Sequence, residues 1–266
     1  STLLETLEKH GNKAPVMLKK LVEIMGEEAF RAGIHDYLVA YSYGNATWDD
    51  LIAILDSQTE EDLATFSDVW VNQKGMPHIT FTNRCGQLEI RQRDPLNRGL
   101  IWPQRFQITF QGEEENTTVE VNLTGETYAL TVPIGTEAIL PNTDERGYGL
   151  FIPDEQSKEW LLRHWQETTD DTARQSLLML LHENYQARLI SDKEWMDALL
   201  NGLKTEKNAL TASTLCGYLG EPLQKLSNDT LEKEIWEWTE KHPMASCRLQ
   251  LIRCLISNAS TPQSID

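Results

Sequence analysis

The spacing of apolar residues changes twice along this chain, each time beside a proline. Before Pro77 it is helical: Leu18, Leu21, Val22 and Met25 recur at intervals of three and four. After Pro77 it is two: His78-Ile79-Thr80-Phe81-Thr82 alternates, and so does Gln87-Leu88-Glu89-Ile90-Arg91-Gln92. From Asp154, just past Pro153, it is helical again. One period cannot serve both a helix and a strand, because side chains repeat every ~3.6 residues in one and every 2 in the other. The chain is therefore expected to fold as helices, then sheet, then helices, with breaks near Gly75 and Pro153.

The first part reads as short helices separated by Gly and Asn. Leu3, Leu4 and Leu7 suggest a brief turn of helix before Gly11. Pro15 suits the opening turn of the next helix, where its missing N–H costs little, and Gly26 stops it. Phe30, Ile34, Tyr37, Leu38 and Tyr41 make one expected apolar face, with Gly44 and Asn45 as the turn after it. Thr47 is placed to cap the helix holding Leu51-Ile52-Ala53-Ile54-Leu55, and Asp49 and Asp50 suit its positive end. Thr59-Glu60-Glu61-Asp62 leads into a further amphipathic helix carrying Leu63, Phe66, Val69 and Trp70.

Five or more alternating segments fill the middle part, among them 105–110, 118–123 and 127–132, with turns at Arg84-Cys85-Gly86, Gln111-Gly112 and Thr124-Gly125-Glu126. Short strands at such spacing predict a small antiparallel β-sandwich. The third part carries helical faces at Leu161-Leu162-Trp165, Leu177 to Tyr185, Trp195 to Leu203, Leu210 to Leu219, Leu231-Ile235-Trp238 and Leu249 to Ile256. Helices of this length with short polar links predict stacked pairs, an irregular HEAT-like array. The fold class is thus multi-domain α and β, with modules at 1–75, 76–153 and 154–266.

A net charge of −17 comes with no basic stripe, which disfavours nucleic acid. No apolar run approaches the roughly 20 residues of a membrane helix. No basic-then-apolar segment opens the chain, which starts at Ser1 in mid-pattern, as a fragment would; the compartment is left open. Cys85, Cys216, Cys247 and Cys254 show no C-x-x-C spacing, so neither a zinc knuckle nor a redox dithiol is indicated. Cys247 and Cys254, seven apart, read as small buried hydrophobes on one helix face. Glu113-Glu114-Glu115 reads as a solvated hairpin tip. Asn45, Asn116, Asn122, Asn228 and Asn258 head glycosylation sequons whose use depends on a secretory route.

Several stretches together resemble a known family. Gly26-Glu27-Glu28-Ala29-Phe30, Tyr37-Leu38, Tyr43-Gly44-Asn45-Ala46-Thr47 with Asp50-Leu51, and Trp70 with Gly75 and Pro77 are similar to the zinc aminopeptidases of the aminopeptidase N type, peptidase family M-one. Trp102-Pro103 resembles a strand start in that family, and Asn142-Thr143-Asp144-Glu145-Arg146-Gly147-Tyr148 resembles its closing signature. The resemblance implies that residues 1–75 are the helical end of a thermolysin-like catalytic domain, followed by a sandwich and a helical lid. Leu150 stands where family members often carry arginine.

The family's chemistry needs zinc, held by His-Glu-x-x-His and a later glutamate. Here the histidines are His10, His35, His78, His164, His182 and His242, and none has a second histidine four residues on. His182-Glu183-Asn184-Tyr185-Gln186 is a near miss, with an amide where imidazole is required. Aligning on Lys13, with Ala14 at the family glycine, places the family's oxyanion tyrosine at Gly11, which has no hydroxyl. No serine or cysteine nucleophile elbow and no phosphate loop is present. This chain is therefore assigned no catalytic, cofactor-binding or metal residues, and zinc is implied only for a full-length protein.

Two readings follow. In the first, the chain is the C-terminal portion of a zinc aminopeptidase, inactive alone, supplying the spacer and the lid over an active site completed by a missing N-terminal catalytic half; its partner is then a peptide substrate. In the second it is a non-catalytic relative used as an interaction scaffold, which Gly11 favours. Val16, Met17 and Ile24 lie off the Leu18–Met25 stripe, so self-association, or folding back onto the C-terminal helices, is expected to cover them.

Overall fold

The computed structural model describes residues 13–42, 44, 46–60, 62–226 and 228–258, without the side chains of residues 13–16, 65, 71 and 72. The expected turn at Leu3–Leu7, His10, Gly11 and Asn45 lie outside the described residues, and so does the side chain of Val16. Four helices come first: α1 (Lys13–Met25), α2 (Glu27–Ala40), α3 (Trp48–Asp56) and α4 (Leu63–Ser67). Strands β1 (His78–Arg84), β2 (Gln87–Arg93), β3 (Gln104–Gly112), β4 (Thr117–Leu123), β5 (Thr127–Thr131), β6 (Thr136–Leu140) and β7 (Leu150–Ile152) follow. The chain then returns to helix in α5 (Glu155–His164), α6 (Asp171–Gln186), α7 (Asp192–Thr205), α8 (Ala209–Tyr218), α9 (Gly220–Leu226), α10 (Asp229–Lys241) and α11 (Ala245–Asn258). Among the described residues no helix is long and apolar enough to cross a membrane.

The first helices bury Met17, Leu21, Met25, Trp48, Leu51, Leu55, Phe66 and Trp70 in one cluster. Three details correct the sequence reading. On α1 the fully buried positions are Met17 and Leu21, while Leu18 and Val22 are half-buried. Ile24 is also half-buried, against the same cluster. The inner face is turned because Lys20, only 2% exposed, lies on it. On α2, Phe30, Ile34 and Tyr37 pack on the cluster, whereas Leu38 is 61% exposed. It sits ~100° round the helix from Tyr37. The helix expected through Trp70 is α-helical only to Ser67, then winds as a π-turn over Asp68–Asn72, and the Asp56 carboxylate accepts its Leu63 N–H at 3.0 Å.

Other local expectations hold. Thr47 and Asp50 form a reciprocal capping box at α3. Where α2 crosses α3, a Cβ on Gly33 would stand 2.5 Å from Leu55 Cδ2, so only glycine allows this approach.

The strands form two sheets, ordered β5-β2-β1-β7 and β4-β3-β6. Leu88 and Ile90 of the first sheet and Phe106, Ile108 and Phe110 of the second point into a shared apolar interior. Phe151 closes it, edge-on to Phe106 with ring centroids 5.1 Å apart. An all-antiparallel arrangement is not what forms: β7 runs parallel to β1, His78 facing Leu150. Neither β6 nor β7 was anticipated. In β6, Ala138, Ile139 and Leu140 are buried in succession, because α5 covers what would be the strand's outer side. Leu150, at the family's arginine position, is buried in β7.

The same apolar cluster continues into the third part through Leu161, Trp165, Leu178, Trp195 and Leu215. Polar links cross the change of secondary structure at 152–155, among them Gln156 Nε2, which donates to the Glu137 carbonyl at 2.9 Å. Ile139 N–H donates to Ser157 Oγ at 2.8 Å, and Asn184 Nδ2 donates to the Phe151 carbonyl at 2.8 Å. At the other change, Trp102 leaves the strands to pack, fully buried, with Trp70 among the first helices. Arg98 bonds both Asp94 and the Lys74 carbonyl, fixing the approach to Gly75.

Candidate functional site

The near-miss metal motif lies on α6. Both His182 and Gln186 are otherwise engaged. The His182 ring lies flat on Tyr218, with centroids 3.8 Å apart and planes 9° from parallel. Burial lowers its pKa, with Glu221 acting weakly in the opposite direction. The Gln186 amide donates to His182 Nε2 at 3.3 Å and to Glu221 at 2.9 Å. The other described histidines are scattered. His35 is exposed on α2, His78 opens β1, His164 pairs with Glu167 at 3.0 Å, and buried His242 accepts the Met244 N–H. Among the described residues no three histidine, cysteine or acidic side chains could together hold a metal. The described residues do not fit a zinc site.

The closing signature has a structural role. Asn142 Oδ1 accepts the Gly147 N–H at 2.6 Å, and Asp144 accepts the Gln107 N–H at 3.0 Å. Gln104 grips the Tyr148 backbone twice, accepting its N–H at 2.7 Å and donating to its carbonyl at 3.1 Å. The Tyr148 ring then reaches Trp70, 5.3 Å between centroids, joining the loop to the first helices.

This loop also forms one edge of a concavity of about 810 Å³. One wall is the outer face of β3, where Gln107, Thr109 and Gln111 alternate with the buried phenylalanines and Ile108. The facing wall is α5 and α6, with Trp160, Ser176, Met179 and Glu183. Glu145 and Glu167 complete its acidic lining, and among the described residues no lysine or arginine lines it. Neighbouring protein crowds the Glu183 carboxyl, although it is exposed by area, and this loss of water raises its pKa. The sequence reading named none of these positions as a site. They come together only in the fold, from segments spread between Gln107 and Glu183.

Against this geometry, similarity to known proteins is informative. Residues 9–70 match the Peptidase family M1 domain. Aminopeptidase N of Streptomyces lividans is 24% identical over 285 residues, covering 96% of this chain and 33% of its own length. The chain is a homologue of the M1 peptidases. Aminopeptidase N of Lactococcus lactis subsp. lactis strain IL1403 shares 39% identity with this M1 homologue over 97 residues, 35% of the chain and 11% of that relative. The alanine/arginine aminopeptidase of Saccharomyces cerevisiae shares 26% over 108 residues, 41% of the chain and 11% of that relative. The M1 homologue thus spans a third or less of the length of the curated relatives it matches.

Proposed function

We propose that this chain is the C-terminal portion of a zinc aminopeptidase that removes N-terminal residues from peptides. In this reading residues 1–75 end a thermolysin-like catalytic domain, 76–153 form a β-sandwich spacer, and 154–266 form a HEAT-like lid over the active site. The observation that carries it is the match to an aminopeptidase N across 96% of the chain, supported by helices, sheets and helices in the expected order. Zinc and substrate chemistry then belong to residues outside this chain, which alone holds no zinc and cleaves nothing.

The deciding experiment is to sequence the reading frame upstream of Ser1 and to assay the whole product. An in-frame His-Glu-x-x-His, with one zinc per molecule and hydrolysis of aminoacyl chromogenic substrates, is expected. Tight stoichiometric zinc on residues 1–266 alone, measured after dialysis, would refute the division of labour. Gly11, at the position of the oxyanion phenol, favours a second reading: a non-catalytic relative serving as an interaction scaffold. An uninterrupted frame without the zinc motif would establish that reading instead. Self-association, or folding back of the first helices onto the C-terminal ones, goes with either reading, and the chain's mass across a concentration series separates the two.

A further inference from the structure

The concavity between β3 and α6 has a chemistry of its own. Its acidic side chains are Glu145, Glu167 and Glu183, and only Glu167 has a charged partner, His164. Among the described residues, neither Glu145 nor Glu183 takes part in a side-chain hydrogen bond or ion pair. The nearby cation Arg146 is already held by Asp144 and, at 2.8 Å, by Glu120. Glu183 stays exposed by area, so its charge is open to an incoming cation, and the neighbouring protein that partly shields it from water strengthens such a pairing.

The rest of the lining narrows the ligand. Half-buried Trp160 lines the cleft and supplies an aromatic ring to a cation. Gln107, Thr109, Gln111 and Ser176 offer amides and hydroxyls spaced along one strand and the opposing helix, as an extended backbone would need. Met179, 47% exposed, supplies an adaptable apolar surface. The volume is that of a site for a short peptide or similar ligand. A net charge of −17 adds long-range attraction for cations.

We propose that this cleft binds an extended peptide segment bearing lysine or arginine, whose cation pairs with Glu183 while its backbone lies along the polar face of β3. The inference stands whichever reading of the whole protein holds.

The test uses the chain itself and three blocked tetrapeptides, acetyl-Ala-Lys-Ala-Lys-amide and its glutamate and all-alanine counterparts, titrated calorimetrically at physiological ionic strength. The lysine peptide is expected to bind and the other two not. Glu183→Gln should weaken it by about fivefold or more, the value of one partly shielded ion pair. Glu145→Gln should weaken it in the same direction. Glu240→Gln, which removes the same charge from the exposed side of α10, should leave it within about twofold. Equal loss in Glu240→Gln and Glu183→Gln would reduce the effect to net charge and overturn the proposal. So would undiminished binding in both cleft variants, or equal binding of the glutamate peptide. Spermine binding as tightly as the lysine peptide would remove the peptide from the assignment and overturn it as stated.

Discussion

Lys20 Nζ donates to the main-chain carbonyl of Arg105 at 3.1 Å, across 85 positions of sequence. The same ammonium pairs with Glu23 at 2.9 Å and is almost wholly buried. One side chain thereby pins α1 to β3. Burial lowers its pKa, against the opposing pull of Glu23. Lys20→Met is expected to leave the Arg105 carbonyl unpaired and to cost about 1–3 kcal/mol in urea unfolding at neutral pH. The pH dependence has a definite sign. A lysine with a depressed folded pKa binds fewer protons folded than unfolded, so stability rises with pH from the folded value up to the ordinary one. The wild type should therefore gain on Lys20→Met as pH approaches 10.5. A gap that narrows instead would show that Lys20 is better solvated than its burial implies.

Arg174 and Glu206 form a two-pronged pair between α6 and the end of α7, at 2.7 and 2.8 Å, with the Glu206 side chain 1% exposed. Glu206 also accepts the Lys207 and Asn208 N–H groups at 2.9 and 2.7 Å. Burial pushes its pKa up, but these bonds outweigh burial and hold it below the ordinary glutamate value. Glu206→Gln should destabilise by roughly 3 kcal/mol at pH 7, because buried Arg174 loses its buried counter-charge and keeps only the exposed Asp171. A carboxylate with a lowered pKa contributes stability above about 4.5 and loses it as pH falls through the folded value. The wild type and the variant should therefore converge in acid. A constant difference from neutral to acid pH would count against the ion pair as the cause.

Gly147 sits where the closing loop crosses the sheet interior. A Cβ there would stand 2.4 Å from Phe151 Cζ and 2.7 Å from Asn142 Oδ1. Phe151 is a buried core ring and cannot swing away. Gly147→Ala should cost about 1–3 kcal/mol through overpacking and lower Tm by several degrees. Unchanged melting would mean that the loop is free to lift from Phe151.

Where neighbours are local and one face is wet, the sequence was readable. Leu88, Ile90 and Gln92 alternate with Glu89, Arg91 and Arg93, and all three of the first set are buried. The two helical stretches were legible for the same reason: each follows from fixed spacing. The legible part ends where both faces are covered. Ala138-Ile139-Leu140 shows no alternation because α5 covers β6. The β3–α6 cleft was invisible for a related reason. Gln107 and Glu183 look like ordinary surface residues until the closing loop and α6 bring them to one concavity.

The inner face of α1 is where pattern and structure part most clearly, and it offers the sharpest check. Apolar spacing favours Leu18, Leu21, Val22 and Met25, but Lys20 is buried, and with it Met17 rather than Leu18. A cation on the inner face defeats a pattern that counts only apolar residues. Truncating a fully buried methionine removes contacts and leaves a cavity, so Met17→Ala should cost about 2–4 kcal/mol. Leu18→Ala, at a half-buried position, should cost clearly less. On α2, Leu38→Ala, at a side chain 61% exposed, should stay within about 0.5 kcal/mol of the wild type. The order of the three losses in urea unfolding is the readout. Leu18→Ala proving the costliest of the three would restore the face that the spacing suggests and would show that α1 is turned by about 100° from the orientation described.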